Sequence, residues 1–425
     1  MQRIAAALLL SVFPVFGDLA LNTAVLDPNL FRVTTFAANL PRANAVALAS
    51  DGSFLIAHSQ TWSAGTITRF TDNNHDGLAD GPGTIVYSTG SGPITQLKQA
   101  GPYYLVGELG SRTIRMLSPG ATPADPMTSV GDLQFTFPSD WYHPTLGMAV
   151  RATPGSPGSY DLVFNIGSQF NAQTSVDPVT VTGLQMGPLQ LSGDALYMIT
   201  VDTTGATPVA SNLRTVATGI RNVYGMAFHP ETGDFYFADN AIDEEPNTPT
   251  SLPPQAEELN RIGADLVGNA AFDFGYPNCY IAFGTGIEVG DCAGVQMPVA
   301  VFQPIPNPPA AGRSEGPTEI AFAPTAFPSG WNNGIFTGFS GKSSGVNDEN
   351  AVAFYDFATG QVSHFVESGL PGVGNLVGVM ATNDSLFIAD WGTGNVYQIT
   401  SAIPEPGSGL LLGIPILLAL WSRNR

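Results

Sequence analysis

The chain repeats itself. An apolar strand, a turn and a second apolar strand recur six times along its 425 residues. The copies start near Asn44 (NAVALASDGSFLIAHS), Pro93 (PITQLKQAGPYYLVGEL) and Thr145 (TLGMAVRATPGSPGSYDLVFNIGS). Three more start near Val223 (VYGMAFHPETGDFYFADN), Pro317 (PTEIAFAPTAFPSGWNNGIFTGFS) and Leu376 (LVGVMATNDSLFIADWGTGNVYQI). Several are followed by one more short strand: GTITRF, RTIRML, AVAFYDF and NVYQIT. A unit of this size cannot bury its own hydrophobic face, so it must stack on its neighbours. Four-stranded units arranged radially make a propeller. The pattern predicts an all-β chain folded as a six-bladed β-propeller, with its chemistry on loops around the central channel.

Composition bears on partners. The 48 Gly and 34 Pro, against only 12% charged residues, suit many short strands joined by tight turns. A formal net charge of −20 disfavours nucleic acid and anionic membrane surfaces. Cations are so scarce that each one is informative, and the only lysines are Lys98 and Lys342.

Both ends read as targeting segments. Arg3, the apolar stretch 4–16 and the small Gly17 have the order of a secretory signal, which makes residues 1–17 a signal peptide. At the other end, Pro404, Glu405 and Pro406 precede an apolar run over 407–421 and then Arg423 and Arg425. This tail, residues 403–425, resembles the PEP-CTERM sorting signal of Gram-negative bacteria. That resemblance implies processing by an exosortase and residence in the periplasm, cell envelope or extracellular matrix. The propeller is then residues 18–402. In an oxidising compartment Cys279 and Cys292, 13 residues apart, are expected to bridge; two separate buried thiols are the alternative.

The densest local signature lies in the fourth copy and its sequel. Arg221 and Asn222 precede the strand VYGMAF; Asp239 and Asn240 follow the next strand; then come the run EELNRI from Glu257 and the turn FGYP from Phe274. In the third copy His143 stands just before TLGMAV, and its partner strand ends in NIGS, with Asn171 beyond. The two series together resemble the glucose/sorbosone dehydrogenase family, six-bladed propellers that use pyrroloquinoline quinone (PQQ). The resemblance covers most of residues 30–400 and is specific in the third to fifth copies.

What the resemblance implies is physically coherent. Oxidising a sugar hydroxyl by hydride transfer needs a base for the O–H proton, and neutral imidazole can serve; His143 matches the family's catalytic histidine. PQQ is a planar tricarboxylate, and a guanidinium can both pair with carboxylate and lie against a ring. Arg221 and Asn222 match the family's cofactor-contacting pair, and Lys342 stands where some members place a lysine against the quinone. Calcium polarises the quinone in the family, and Asp239, Asn240, Asp243, Glu244 and Glu245 offer oxygen ligands. Two departures stand out. Ala241 and Ile242 replace a common Gly-Pro pair and are followed by the loop PNTPTSLPPQ, and the last copy opens on GNLVG from Gly374 without the arginine often found there.

A second calcium candidate rests on spacing alone. Asp72, Asn74, Asp76 and Asp80, with Gly77 after the third, can wrap one ion, with a metal-free turn as the alternative. The expected function is an exported PQQ-dependent sugar or aldose dehydrogenase passing electrons to a periplasmic acceptor. The alternatives are a non-catalytic propeller binding glycan, matrix or a protein, and a calcium-dependent lactonase-type hydrolase. No phosphate loop or His-Glu-x-x-His pair points elsewhere.

Overall fold

Each repeat becomes an antiparallel sheet whose second strand is buried on both faces. In the computed structural model, which describes residues 19–138, 140–243, 253–303, 316–340, 352–367 and 375–402, every residue of Phe235–Asp239 and of Ser385–Asp390 is buried. A strand covered by sheets on both sides reads as a continuous apolar run, which is why these copies do not alternate. The chain is all-β. Among the described residues the one helical element is the 3-10 turn Pro28–Leu30.

The first sheet pairs Ala45–Leu48, Phe54–Thr61, Ala64–Phe70 and Thr84–Thr89 in that order. The next pairs Ile94–Ala100, Tyr103–Glu108, Thr113–Ser118 and Thr128–Thr136, and the hairpin of Val179–Gly183 and Met186–Leu191 extends its outer edge. Met148–Ala152, Ser159–Ile166, Ala195–Asp202 and Val209–Thr218 follow, then Val223–Phe228, Phe235–Asp239, Glu257–Ile262 and Ala300–Phe302. The last two repeats lie in one nine-stranded sheet. Within it, Pro317–Phe322, Gly334–Phe339, Val352–Asp356 and Val362–Glu367 meet Leu376–Ala381, Ser385–Asp390 and Asn395–Ser401 at the pair Phe339 and Leu376.

A strand outside the repeats completes the last of these. Phe31–Ala37 pairs antiparallel with Asn395–Ser401, from Phe31 opposite Ser401 to Ala37 opposite Val396. Beginning and end of the fold are thus hydrogen-bonded together, with Phe31–Ala37 covering Asn395–Ser401 as the outer strand of that sheet.

Cores lie between neighbouring sheets. Leu55 and Ile67 pack with Leu97 and Val106, Phe135 with Phe164, and Met198 with Phe237. Leu259 and Phe302 pack with Ile335 and Phe339, then Phe336 and Phe354 with Leu386 and Ile388. Phe387 and Val396 return to Val46 and Ile56 of the first sheet, so the circuit closes. The first strands of the sheets touch in the same cyclic order around a central axis, a propeller-like arrangement. Glycines allow that approach: a Cβ at Gly225 would strike the Thr318 carbonyl, and one at Gly378 the Asn44 carbonyl.

Cys279 and Cys292 are bridged, as expected. Among the described residues no helix is long and apolar enough to cross a membrane. The segments 1–17 and 403–425, read above as targeting signals, lie outside the described residues.

Candidate functional site

The starts of the first strands converge at one end of the channel, and there the sequence-predicted residues gather. Asp239 ends its strand with a buried carboxylate that accepts the backbone N–H groups of Arg221 (2.9 Å) and Asn222 (2.7 Å). It fixes the turn that presents both side chains. Burial pushes Asp239 up to about 6 even against those N–H donors. Glu258, its cross-strand partner, is driven up to about 8 by burial and by the Asp239 charge.

Arg221 is fully buried. Its Nε donates to the Asn171 carbonyl (3.0 Å), while Nη2 donates to Asn171 Oδ1 (2.6 Å) and to Asp243 Oδ2 (2.5 Å). The Tyr142 ring lies 5.7 Å from the guanidinium, and the Tyr142 hydroxyl donates to the same Asp243 oxygen. His143 Nε2 is 3.8 Å from that oxygen too. Desolvation, and then the Arg221 charge, push His143 down to about 2, so it is neutral. Gly167 makes this possible, since a Cβ there would collide with the His143 carbonyl.

Asn222 accepts a hydrogen bond from the Thr145 hydroxyl (2.7 Å), which in turn accepts from Asn165 Nδ2 (2.8 Å). Among the described residues, four polar atoms at this wall are buried without a hydrogen-bond partner: Arg221 Nη1, His143 Nε2, Asn165 Oδ1 and Ser168 Oγ. Buried polar atoms are seldom left so, and such a cluster marks a place where a polar group belongs. Beside it opens a cavity of about 500 Å³ lined by Asn44, Asn222, Tyr224, Asn240, Asn375 and the tryptophans Trp62 and Trp391, among others. Asn222 lines this cavity, whereas Arg221 and His143 do not. A second, more apolar cavity of about 590 Å³ opens at the other end of the first strands, where Lys98 pairs with Glu319 at 2.5 Å.

The proposed metal ligands are already engaged. Asp239 holds backbone N–H groups, Asn240 Nδ2 donates to the Asn222 and Pro317 carbonyls, and Asp243 pairs with Arg221. Glu257 Oε2 accepts the Ala241 N–H (2.6 Å) and Gln255 Oε1 the Ile242 N–H (3.1 Å), which ties this loop to the next strand. In the 72–80 loop, Asp72 accepts the Asp76 and Gly77 N–H groups, Asp76 that of Leu78, and Asp80 that of Asn73; Asn74 Nδ2 donates to Asp76. Among the described residues no three His, Cys, Asp or Glu side chains converge as a metal site. Lys342, Glu244 and Glu245 lie outside the described residues.

Sequence reasoning placed Asp243 with a metal and missed its bond to Arg221. It also passed over Arg42, Trp62 and Trp391. The available signal was rarity: the chain has only five tryptophans, and Trp62 stands among polar residues in QTWSAG.

Solved structures share this fold. The chain resembles the holo form of the PQQ domain of a pyranose dehydrogenase from Coprinopsis cinerea, with a TM-score of 0.58 and 16% identity over 87% of this chain and 95% of that one. A calcium structure of a Trichoderma reesei protein of carbohydrate-active enzyme family AA12 matches with a TM-score of 0.59 and 14% identity, over 91% and 98%. The PQQ-bound aldose sugar dehydrogenase of Streptomyces coelicolor matches with a TM-score of 0.51 and 14% identity, over 88% and 99%. At these identities the likeness is one of fold. No protein-family model and no curated protein matches the chain.

Proposed function

We propose that this chain is a PQQ-dependent sugar or aldose dehydrogenase, a six-bladed propeller exported to the cell envelope that hands its electrons to a periplasmic acceptor. Two blades share the nine-stranded sheet, meeting at Phe339 and Leu376. The observation that carries the functional reading is the cluster of unpartnered buried atoms at Arg221, His143 and Asn165. Their chemistry fits a group with both an anionic acceptor and a donor: the Arg221 guanidinium edge needs an acceptor such as a carboxylate oxygen, while Asn165 Oδ1 needs an O–H or N–H donor.

Arg221 and Asn222 would hold the cofactor, with Arg221 exchanging Asp243 for a cofactor carboxylate. When bound, PQQ supplies the acceptor for the hydride leaving a sugar carbon. His143 keeps Nε2 free of a proton, so that atom can take the hydroxyl proton. Asp243, released by Arg221, stands 3.8 Å away to balance the charge that Nε2 then carries. The described residues do not by themselves fit calcium, because their carboxylates are spent on backbone N–H groups and on Arg221.

Titrating the purified protein with PQQ, with and without calcium, and following dye reduction across an aldose panel tests this reading. Saturable binding with sugar-dependent reduction, lost in His143→Ala, is expected. Absence of PQQ binding at high micromolar concentration removes it. The competing reading, a propeller that binds glycan without oxidising it, is favoured by one observation: Asp243 already neutralises Arg221.

A further inference from the structure

The mouth of the 500 Å³ cavity carries a feature that the quinone reading does not use. Trp62, 63% exposed, lies with its ring centroid 5.6 Å from that of Trp391 at an interplanar angle of 48°. The Arg42 guanidinium lies 5.4 Å from the first ring and 5.6 Å from the second. It is not free to swing: Nη1 donates to the Ser59 and Gln60 carbonyls, and the backbone sits in the left-handed region at φ 57°. Two indoles clamped by one anchored cation are pre-ordered, so a ligand stacking on them pays little to organise them.

Among the described residues the rest of the lining is neutral and amide-rich. Asn222 Oδ1 accepts from the Thr145 hydroxyl, Asn240 Nδ2 donates to two carbonyls, and Asn375 Nδ2 donates to the Ser340 carbonyl. The other amide atom of each, Nδ2 of Asn222 and Oδ1 of Asn240 and Asn375, has no hydrogen bond among the described residues. One donor and two acceptors, in a cavity within the range of about 300–1,000 Å³ typical of small-molecule sites, match vicinal hydroxyls, which both donate and accept. An indole face is electron-rich and attracts the polarised C–H groups on one side of a pyranose ring.

We infer that Trp62 and Trp391, held by Arg42, form a stacking platform for a neutral pyranoside whose hydroxyls are met by Asn222, Asn240 and Asn375. The platform deepens the sugar reading above by naming how the ring is held, and it requires neither quinone nor calcium. Arg42 is a positioning residue, because its Nη1 donates to carbonyls and its charge faces the rings.

The test uses the full purified chain without PQQ or calcium. Cellobiose, maltose and lactose are titrated by calorimetry and by tryptophan fluorescence, with glucuronate as the charged comparison. Saturable binding of at least one neutral disaccharide is expected, weakened about tenfold in Trp62→Ala and within about threefold of the parent in Trp62→Phe, which keeps a π-face. Trp62 is exposed, so Trp62→Ala retains the fold, checked by an unchanged melting temperature. No binding up to about 50 mM of any neutral sugar overturns the inference, as does binding indifferent to Trp62→Ala or confined to glucuronate. Sugar binding without PQQ binding supports the platform and removes the dehydrogenase. PQQ-dependent turnover without Trp62 dependence does the reverse.

Discussion

Asp243 Oδ2 lies 2.5 Å from Nη2 of the fully buried Arg221, so a side chain from the loop after the fourth repeat's second strand neutralises the one arginine expected to hold a cofactor. Arg221 is 1% exposed at its side chain and Asp243 33%, and the partner that can leave is therefore the aspartate.

Asp243→Asn follows from that asymmetry. It leaves a buried guanidinium without its countercharge, and about 1–3 kcal/mol of stability is expected to be lost in urea denaturation. The same variant should bind PQQ or a simple dicarboxylate more tightly than the parent, because Arg221 no longer has to release an internal anion. Unchanged stability and unchanged anion affinity together would show that Arg221 is not held by Asp243.

Alkaline pH should weaken the fold through Glu258. Its folded value, raised to about 8 from an ordinary 4.5, means that the native state keeps a proton the unfolded chain has lost. Stability from this group is complete below about pH 4.5 and is lost as pH rises through 8. Melting temperatures measured between pH 6 and 9 should fall, and Glu258→Gln should flatten that slope.

Acid acts with the opposite sign. Burial lowers His364 to about 4 and lowers His58 too, so both stay neutral in the fold. Unfolded histidine takes a proton near 6.5, and stability therefore declines as pH drops below that value towards 4. His364→Gln should reduce the loss between pH 6.5 and 4.5 in the same melting series.

The bridge between Cys279 and Cys292 closes a loop of 13 residues. Replacing both cysteines with serine should cost about 2–3 kcal/mol by the loop-entropy argument. Far-ultraviolet circular dichroism should stay unchanged at 25 °C, since the bridge lies outside the sheet-to-sheet cores. A variant that fails to fold would mean the loop is integral to the fourth sheet.

Removing Phe31–Ala37 should do far more damage than its length suggests. Asn395–Ser401 would become an open edge, and Phe31 would leave its edge-to-face contacts with Phe327 and Phe365. Aggregation or loss of cooperative unfolding is expected by light scattering and calorimetry. A monomeric, cooperatively melting truncation would show that the closing strand is dispensable.

Local pattern made much of this legible. Apolar runs bounded by Gly and Pro marked the strands, the spacing of the copies marked the sheets, and flanking motifs marked Arg221, Asn222 and His143. The strand Phe31–Ala37 escaped because FRVTTFA belongs to no copy; only pairing with a partner more than 350 residues away gives it a place. The loop 72–80 has a spacing that serves two uses. Its acids at alternate positions looked like ligands, yet the same spacing lets each carboxylate cap a nearby N–H, and the structure shows that use.

Sequence alone determined the strand-turn-strand repeat and the all-β class, because periodicity and turn chemistry act within a few residues. It also brought the two cysteines near enough to bridge. Only the tertiary structure decided which side chains share a neighbour: Arg221 with Asp243, His143 with the same carboxylate, and Arg42 between Trp62 and Trp391. The last two join separate sheets around one axis and the first joins two loops of one sheet, and electrostatic and aromatic energies depend on distance in space, which the order of residues along the chain does not encode.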